Sequence, residues 1–216
     1  MESSIKDKKR AYVQAVYRII SEEGFEGVKI RRIAKDVGCT SAVLYKHFDN
    51  LDHLITLAAI KFLGGYIRRY QECVRRRNDN AIEYNLMMWK IFIDESFKNV
   101  PIYEKLFFGP YTDQLSDAFY EYYQLFPGEI YELDGYTTSI LLNGDLEERE
   151  LIILRLAANK GLITLEAAKL LSCVNVMIYH GFLKKYENSY QEEGVAEKAA
   201  RECYHAISEI TRKYLK

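Results

Sequence analysis

Residues 24–54 are GFEGVKIRRIAKDVGCTSAVLYKHFDNLDHL, two short amphipathic segments on either side of a Gly-Cys-Thr turn. In the first segment Ile30, Ile33, Ala34 and Val37 recur at helical spacing and therefore share one face. Gly38 follows them, where a helix commonly ends in the left-handed conformation that glycine adopts at low cost. The stretch predicts a short helix that ends at a glycine turn.

The second segment begins at Thr40, whose hydroxyl we expect to cap the first amides of the next helix. Leu44 and Phe48 lie four residues apart and are expected to point back toward the first helix. A short helix, a tight turn and a second short helix form the helix-turn-helix arrangement. In that arrangement the second helix enters the major groove of DNA.

An ordered set of residues at these spacings resembles the DNA-binding domain of TetR-type bacterial transcriptional regulators. The resemblance covers about residues 6–62 and is carried by Gly24-Phe25, Ile30-Arg31-x-Ile33-Ala34, Val37-Gly38, Leu44-Tyr45-x-His47-Phe48 and Leu54. It implies an all-α protein, with three N-terminal helices that bind DNA and a larger helical domain for ligand sensing and dimerisation. We expect these domains at residues 1–50 and 51–216, with a helix over 51–77 connecting them.

The chain departs from the family pattern at two places. Val28-Lys29 stand where the family usually has Thr or Ser at the start of the second helix, so the usual cap is absent. Leu51 stands where the family favours a lysine that contacts a phosphate. The loss of one phosphate contact is expected to lower the affinity for DNA and its salt dependence slightly.

The resemblance assigns DNA contacts to the second helix and its start. Ser41, Ala42 and Val43 are expected nearest the base edges, and these short side chains lack the bidentate groups that select guanine or adenine. Arg31 is the candidate for a strong base or phosphate contact, although Arg31 and Arg32 could each be a solvated surface residue. The full set of predicted DNA contacts is Arg31, Thr40, Ser41, Ala42, Val43, Tyr45, Lys46 and His47.

The distribution of charge is compatible with a local DNA contact. The whole chain of 216 residues has a formal net charge of −1. Residues 1–50 contain ten Lys and Arg against seven Asp and Glu, whereas residues 51–216 contain twenty against twenty-four. A modestly basic N-terminal part on an acidic remainder fits a DNA-binding end. Random scatter of a few charges would give the same difference.

Other functional classes have little support in the sequence. The four cysteines are widely spaced without metal-ligand spacing, and no phosphate-binding glycine loop, nucleophile motif or catalytic triad can be assembled. No apolar stretch approaches eighteen residues, and the N-terminus has no apolar signal core. We therefore expect a cytoplasmic protein that is not an enzyme, with no cofactor, metal or membrane partner.

Aromatic residues are concentrated between positions 103 and 136, and an apolar helix with Met88, Trp89 and Phe92 precedes them. As a group they could line a pocket for a flat or apolar effector, while core packing is the alternative for each of them. Arg155, within an apolar helix, could anchor an acidic ligand or pair with a nearby glutamate. The candidate ligand-binding residues are Met88, Trp89, Phe92, Tyr103, Phe107, Tyr111, Tyr123 and Arg155.

Two long amphipathic helices are predicted at about residues 164–187 and 193–214. Doubled by a two-fold axis, such a hairpin makes a four-helix dimer interface; packing within one protomer is the alternative. The candidate interface residues are Leu171, Val174, Ile178, Phe182, Ala199, Cys203 and Ile210.

Together these features predict a homodimeric, ligand-responsive repressor that binds double-stranded DNA at a palindromic operator. The rival is a small-molecule sensor or interaction module that has lost sequence-specific DNA binding.

Overall fold

The computed structural model describes residues 2–74, 80–130 and 134–216, and within these ranges it contains twelve α-helices and no strand. This confirms the predicted all-α class. None of the described helices combines the length and the apolar character that crossing a bilayer requires.

The head, as we call residues 2–50, consists of α1 (Glu2–Glu23), α2 (Ile30–Val37) and α3 (Ser41–Leu44). Gly38 ends α2 with φ of +72°, and the amide of Cys39 donates to the carbonyl of Ala34 at 2.8 Å. The predicted glycine turn is therefore present, and it is the bend that separates the two short helices.

The starts of α2 and α3 have no side-chain caps. Lys29 is the N-cap residue of α2 without a side-chain hydrogen bond, in agreement with the missing Thr or Ser. Thr40 is the extended N-cap residue of α3, but its hydroxyl makes no capping bond, so that prediction was wrong. The carbonyl of Thr40 instead accepts from the amide of Val43 at 3.0 Å. Packing of Leu44 and Phe48, rather than capping, holds α3 in place.

The helix that leaves the head is α4 (Leu51–Ile60), which passes through a tight turn at Lys61–Leu63 into α5 (Gly64–Val74). The side chain of Asn50 caps α4 by accepting from the amide of His53 at 2.8 Å. All residues from His53 to Ile60 are buried, because α4 packs against α1 on one side and against body helices on the other. The predicted end of this helix near Arg77 lies outside the described residues.

The rest of the chain, from residue 51 onward, is called the body. Its central helices surround a core that is continuous with the core of the head. These helices are α6 (Ala81–Ser96), α7 (Val100–Phe107), α8 (Leu115–Leu125), α9 (Gly135–Leu141) and α10 (Leu146–Asn159).

The body ends with the predicted hairpin, α11 (Leu165–Tyr186) and α12 (Val195–Lys213). Thr164 caps α11 by accepting from the amide of Ala167 at 3.0 Å. Helix α11 packs between α10 and α12, and α12 also contacts α6. The hairpin therefore covers one side of the body and leaves the outer face of α11 to solvent.

Candidate nucleic-acid interface and effector cavity

Helix α3 and the turn that follows it, residues 41–48, have one buried and one exposed side. Leu44 and Phe48 are 0 % and 2 % exposed, since both point into the core of the head. Between them Tyr45 is 51 % exposed, which is a large apolar area to leave in water on so small a domain. An exposed aromatic ring beside an exposed lysine, Lys46, is suited to a surface that meets another macromolecule.

The other predicted DNA contacts surround Tyr45. Ala42 and Thr40 are exposed, and Ser41, Val43 and His47 are half-buried. Burial lowers the pKa of His47, and the positive charges of Lys8, Lys9 and Lys46 lower it further. His47 is therefore a neutral imidazole at pH 7 that can donate or accept one hydrogen bond.

Arg31 and Arg32 differ in their surroundings. Arg32 pairs with Glu23 at the end of α1. Arg31 is exposed on α2 and has no ion-pair partner among the residues that the structure describes. Arg32 therefore has a structural partner, and Arg31 is the side chain available to an external phosphate or base.

Leu51, at the position of the expected lysine, is half-buried and packs against the core of the protein. Here an apolar contact takes the place of a charge at the start of α4. The neighbouring Asp52 accepts from Lys105 of α7 at 2.6 Å, so the start of α4 is joined to the body.

A small cavity of about 40 Å³ lies within the body. Three predicted ligand-binding residues, Met88, Trp89 and Phe92, line it. The other lining residues, which no sequence pattern indicated, are Tyr66, Tyr70, Asn85, Ile140, Leu146, Arg149, Glu150 and Ile153. They come from α5, α6, α9 and α10, and only the tertiary fold brings these helices together.

The remaining predicted ligand-binding aromatics do not line the cavity. Tyr103 and Phe107 pack behind its wall, with ring centroids 5.3 and 5.2 Å from that of Phe92. Tyr123 is buried in α8. Tyr111 stacks on His53 at 5.5 Å, next to the head.

The predicted ligand anchor also requires correction. Arg155 is exposed on the outer side of α10, outside the cavity lining. The arginine that does line the cavity is Arg149, which is 6 % exposed and lies on the opposite side of the same helix. The apolar residues around Arg155 in the sequence suggested burial, but its position on the helix faces solvent.

The guanidinium of Arg149 is held by neutral groups. Nε and Nη2 donate to the carbonyl of Asn143 at 3.1 and 2.5 Å, and Nη2 also donates to the carbonyl of Leu141. Nη1 makes a long contact of 3.4 Å with the hydroxyl of Tyr66. The guanidinium carbon lies 5.3 Å from the centre of the Phe107 ring.

Glu150, the next residue, is a buried carboxyl group at 3 % exposure. Its Oε1 accepts from the amide nitrogens of Asn85 at 2.9 Å and Asn175 at 2.8 Å, which joins α6, α10 and α11. Its Oε2 has no hydrogen-bond partner. Burial raises the pKa of Glu150 to about 7, against the lowering effect of the amide donors. The carboxyl is therefore in part protonated at neutral pH.

The predicted dimer residues divide into two groups. Leu171, Ala199 and Cys203 are 0 % exposed within one protomer, so they contact their own body and no partner. Val174, Ile178, Phe182 and Ile210 are half-buried. The exposed apolar surface of α11 instead contains Leu170 at 46 % and Met177 at 64 %. Helix α11 therefore carries apolar residues on two sides, one facing the core and the other facing solvent.

Comparison with known proteins agrees with this geometry. Residues 13–56 match the family model of bacterial regulatory proteins of the tetR family. A helix-turn-helix-type transcriptional regulator of Staphylococcus aureus is 23 % identical over 155 residues, 66 % of this chain and 80 % of its own. The fatty acid metabolism regulator protein of Bacillus subtilis is 23 % identical over 148 residues, 67 % of this chain and 75 % of its own.

Solved structures share the whole fold at low identity. A TetR-family regulator of Mesorhizobium loti has a TM-score of 0.58 at 12 % identity, with 98 % of each chain covered. The TetR-family repressor FadR of Thermus thermophilus, solved with lauroyl-CoA, has a TM-score of 0.59 at 9 % identity, with 92 % of each chain covered. These likenesses establish the fold.

A helix-turn-helix head followed by a helical body defines a DNA-binding transcriptional regulator. More narrowly, residues 13–56 match the tetR family of bacterial regulatory proteins, and the fold of the chain is similar to that of TetR-family regulators.

Proposed function

We propose that this regulator is an effector-responsive repressor, which binds a palindromic operator as a homodimer in the cytoplasm. The observation that carries the proposal is the exposed surface of α3 and of the turn that follows it, where Tyr45 and Lys46 lie in solvent between the buried residues Leu44 and Phe48. We further propose residues 1–50 as the DNA-binding domain and residues 51–216 as the effector-binding and dimerisation domain, connected by α4 and α5.

The exposed side chains have different roles toward DNA. Ser41, Ala42 and Val43 are short enough to reach base edges, where Val43 suits the methyl group of thymine. Lys46 and Arg31 are exposed cations suited to phosphate contacts, and Tyr45 can donate its hydroxyl to a phosphate. Phosphate contacts set the affinity and position, while the short residues set the sequence preference.

Replacement of Lys46 by alanine is expected to weaken binding about equally on all DNA sequences. The lost phosphate contact should also reduce the salt slope of binding by about one unit for each copy of the head. Val43→Ala is the matched variant, and it should change the preferred bases while the slope stays the same. Binding titrations on operator and scrambled duplexes at several salt concentrations measure both effects. A change of sequence preference in K46A would contradict the assignment.

The outer face of α11 is the proposed dimer interface. Leu170, Val174, Met177 and Gly181 follow one another at spacings of four, three and four, so they form one stripe along the helix. A Cβ atom added at Gly181 would meet no atom within 4 Å, so nothing in the protomer requires a glycine there. Glycine in an exposed helix costs about 1 kcal/mol relative to alanine, and close approach of a partner helix would account for it.

Two heads on one dimer fit the spacing of DNA half-sites. Operators for helix-turn-helix dimers place half-sites about 34–36 Å apart or at multiples of it. An effector that changes the distance between the heads would therefore release the operator without changing either head.

The segment from Phe107 to Tyr111 joins the cavity to the head and to the dimer helix. Phe107 lies beside Arg149 at the cavity wall. Phe108 stacks on His180 of α11, with ring centroids 3.8 Å apart and planes within 2°. Tyr111 stacks on His53 of α4 with planes within 7°. Expansion of the cavity would therefore shift groups that touch both α4 and α11.

A second connection between head and body is centred on Glu121 of α8. Its carboxylate accepts from Lys9 of α1 at 2.6 Å and contacts Nε2 of His53 at 2.9 Å. Burial would raise the pKa of Glu121, but the hydrogen bonds from His53 and Lys9 outweigh it and lower the pKa. Arg10 adds a hydrogen bond of 2.6 Å to the carbonyl of Leu125.

Glu121→Gln is expected to lower the free energy of unfolding by about 1–2 kcal/mol at pH 7, because two charge-assisted hydrogen bonds become neutral. A carboxyl with a lowered folded pKa stabilises above its unfolded pKa, and that stabilisation is lost as the pH falls through the folded value. The difference from wild type should therefore be smaller at pH 3 than at pH 7. Urea unfolding at both pH values measures it, and an equal difference at both would show that charge is not the cause.

The proposed function is tested on the promoter region beside the gene that encodes the chain. Binding should be selective over a scrambled duplex and should weaken between about 50 and 200 mM salt. If no salt-sensitive, sequence-selective complex forms, the chain is a sensor module without operator binding. The names of the Bacillus and Thermus relatives support an effector with an apolar body, since one is a fatty acid metabolism regulator and the other was solved with lauroyl-CoA.

A further inference from the structure

Arg149 is a buried cation without an anionic partner. Among the residues that the structure describes, its contacts are two carbonyl oxygens, one hydroxyl and the faces of two aromatic rings. Charged groups in protein interiors are normally paired, because an uncompensated charge in a low dielectric is costly. The site therefore has one positive charge for which the described residues supply no counterion.

Glu150 lines the same cavity and has a free oxygen. Oε1 accepts from two amide donors. Oε2 has no partner at hydrogen-bond distance, and the indole of Trp89 lies near enough to the carboxyl to lower its pKa. As an ionised carboxylate, Oε2 would be a buried acceptor without a donor; as a carboxylic acid, it would be a buried donor without an acceptor. If an anion binds near Arg149, only the uncharged acid form of Glu150 avoids repulsion between two buried negative charges.

The rest of the cavity is apolar. Its walls include the rings of Tyr66, Trp89 and Phe92 and the side chains of Ile140 and Ile153. A volume of about 40 Å³ holds roughly three water molecules at about 10–15 Å³ each, so a larger ligand must expand it. Such expansion is the change that the segment at Phe107 would pass on to α4 and α11.

We propose that the effector is a small apolar carboxylic acid, bound as its anion, whose carboxylate accepts hydrogen bonds from Arg149 and from protonated Glu150. The inference rests on the proposed function, since it names the class of effector for the sensing domain. The apolar body of the ligand would lie against the aromatic walls, and its charge would supply the counterion of Arg149.

We expect the affinity for the carboxylate ligand to depend on pH. Two kinds of group surround Glu150. The charged and titratable ones are Arg149 and Glu147 on its own helix and Tyr66 and Tyr70 on α5. The neutral ones, from α6, α11 and α12, are Asn85, Trp89, Asn175 and Thr211. Because Glu150 has a pKa of about 7, its charge changes across neutrality, and we expect it to govern binding there. Above that pH, Glu150 must take up a proton when the ligand binds. The affinity for the ligand should therefore fall about tenfold between pH 6 and pH 8.

The test uses full-length wild-type protein without DNA and two matched series of compounds. Phenylacetate, phenylacetamide and 2-phenylethylamine share one body, and octanoate, octanamide and octylamine share another. In calorimetric titrations at pH 6, a carboxylate should bind at least tenfold more tightly than its amide and amine. Preference for an amine, equal binding of amide and carboxylate, or no binding by any of the six compounds would overturn the proposal.

Three variants then locate the head group. Arg149→Met should lower carboxylate affinity at least tenfold, whereas Arg155→Met, on the exposed side of the same helix, should leave it unchanged. Glu150→Gln retains an N–H donor where Oε2 lies but cannot ionise, so its affinity for the carboxylate should lose the dependence on pH. A pH profile that persists in E150Q overturns the role of Glu150. The head-group preference and the pH profile are measured on wild type, so they stand even if R149M does not fold.

The two proposals fail separately. Carboxylate binding in the absence of any operator complex would refute the repressor and leave the effector class supported. A selective operator complex with no carboxylate binding would refute the effector class and leave the repressor supported.

Discussion

Met177→Glu is expected to convert the dimer into monomers and to abolish tight operator binding. Met177 is 64 % exposed at the centre of the α11 stripe, so the variant protomer should fold normally. At a two-fold interface the substitution buries two like charges near the axis without partners, at a cost of about 3–5 kcal/mol or more. The dimer should dissociate at protein concentrations at least about a hundredfold higher than wild type.

Operator affinity should fall with the dimer. A second head held in place by the first raises avidity by about 10²–10⁴ without any new contact. Sedimentation velocity and operator titration on the same samples measure both effects. Tyr120→Glu is the matched control for oligomeric state, because Tyr120 is 65 % exposed on α8 and its replacement should leave the dimer intact. A dimeric M177E protein would show that the interface lies elsewhere.

Glu150→Gln is expected to stabilise the protein at high pH and to have little effect at low pH. The pKa of Glu150 is raised from 4.5 to about 7 by burial. A carboxyl with a raised folded pKa contributes its full stability below the unfolded value, and that contribution is lost as the pH rises through the folded value. At 1.36 kcal/mol for each unit, the wild type loses on the order of 3 kcal/mol by pH 8.

Glutamine keeps the acceptor for Asn85 and Asn175 and does not ionise. The stability difference between E150Q and wild type should therefore grow from near zero at pH 4.5 to about 3 kcal/mol at pH 8. Urea unfolding across this range measures it. Glu209→Gln, on the exposed side of α12, is the control and should change stability by less than about 0.5 kcal/mol at either pH. Equal effects of E150Q at both ends would mean that the buried carboxyl does not titrate in this range.

The head was predictable from the sequence because its signals are local. The spacing of Ile33, Ala34 and Leu44 and the glycine at position 38 define the two helices and the turn within fifteen residues, and the structure contains them. The cap at Thr40 failed, because a residue of the right type at the right position need not make the bond when packing already fixes the helix. The family pattern also gave no indication that Leu51 packs against the core.

The cavity and the interface were less predictable because they depend on how helices rotate about their axes. Arg149 and Arg155 lie in the same apolar helix, and only its packing against neighbouring helices decides which one is buried. The same applies to Leu171 and Leu170, adjacent residues of which one faces the core and the other faces solvent. The one available sequence signal was the Arg149-Glu150 pair, the last two of four consecutive charged residues before the apolar residues of α10.

In the proposed complex, the two heads of one dimer bind the two half-sites of the operator. Analytical ultracentrifugation of the protein with its operator duplex tests it most directly, because the mass of the complex gives the number of protomers per duplex. We expect two protomers on the full operator and binding at least about a hundredfold weaker to a duplex with a single half-site. One protomer on the full operator, with the same affinity for the half-site duplex, would contradict it.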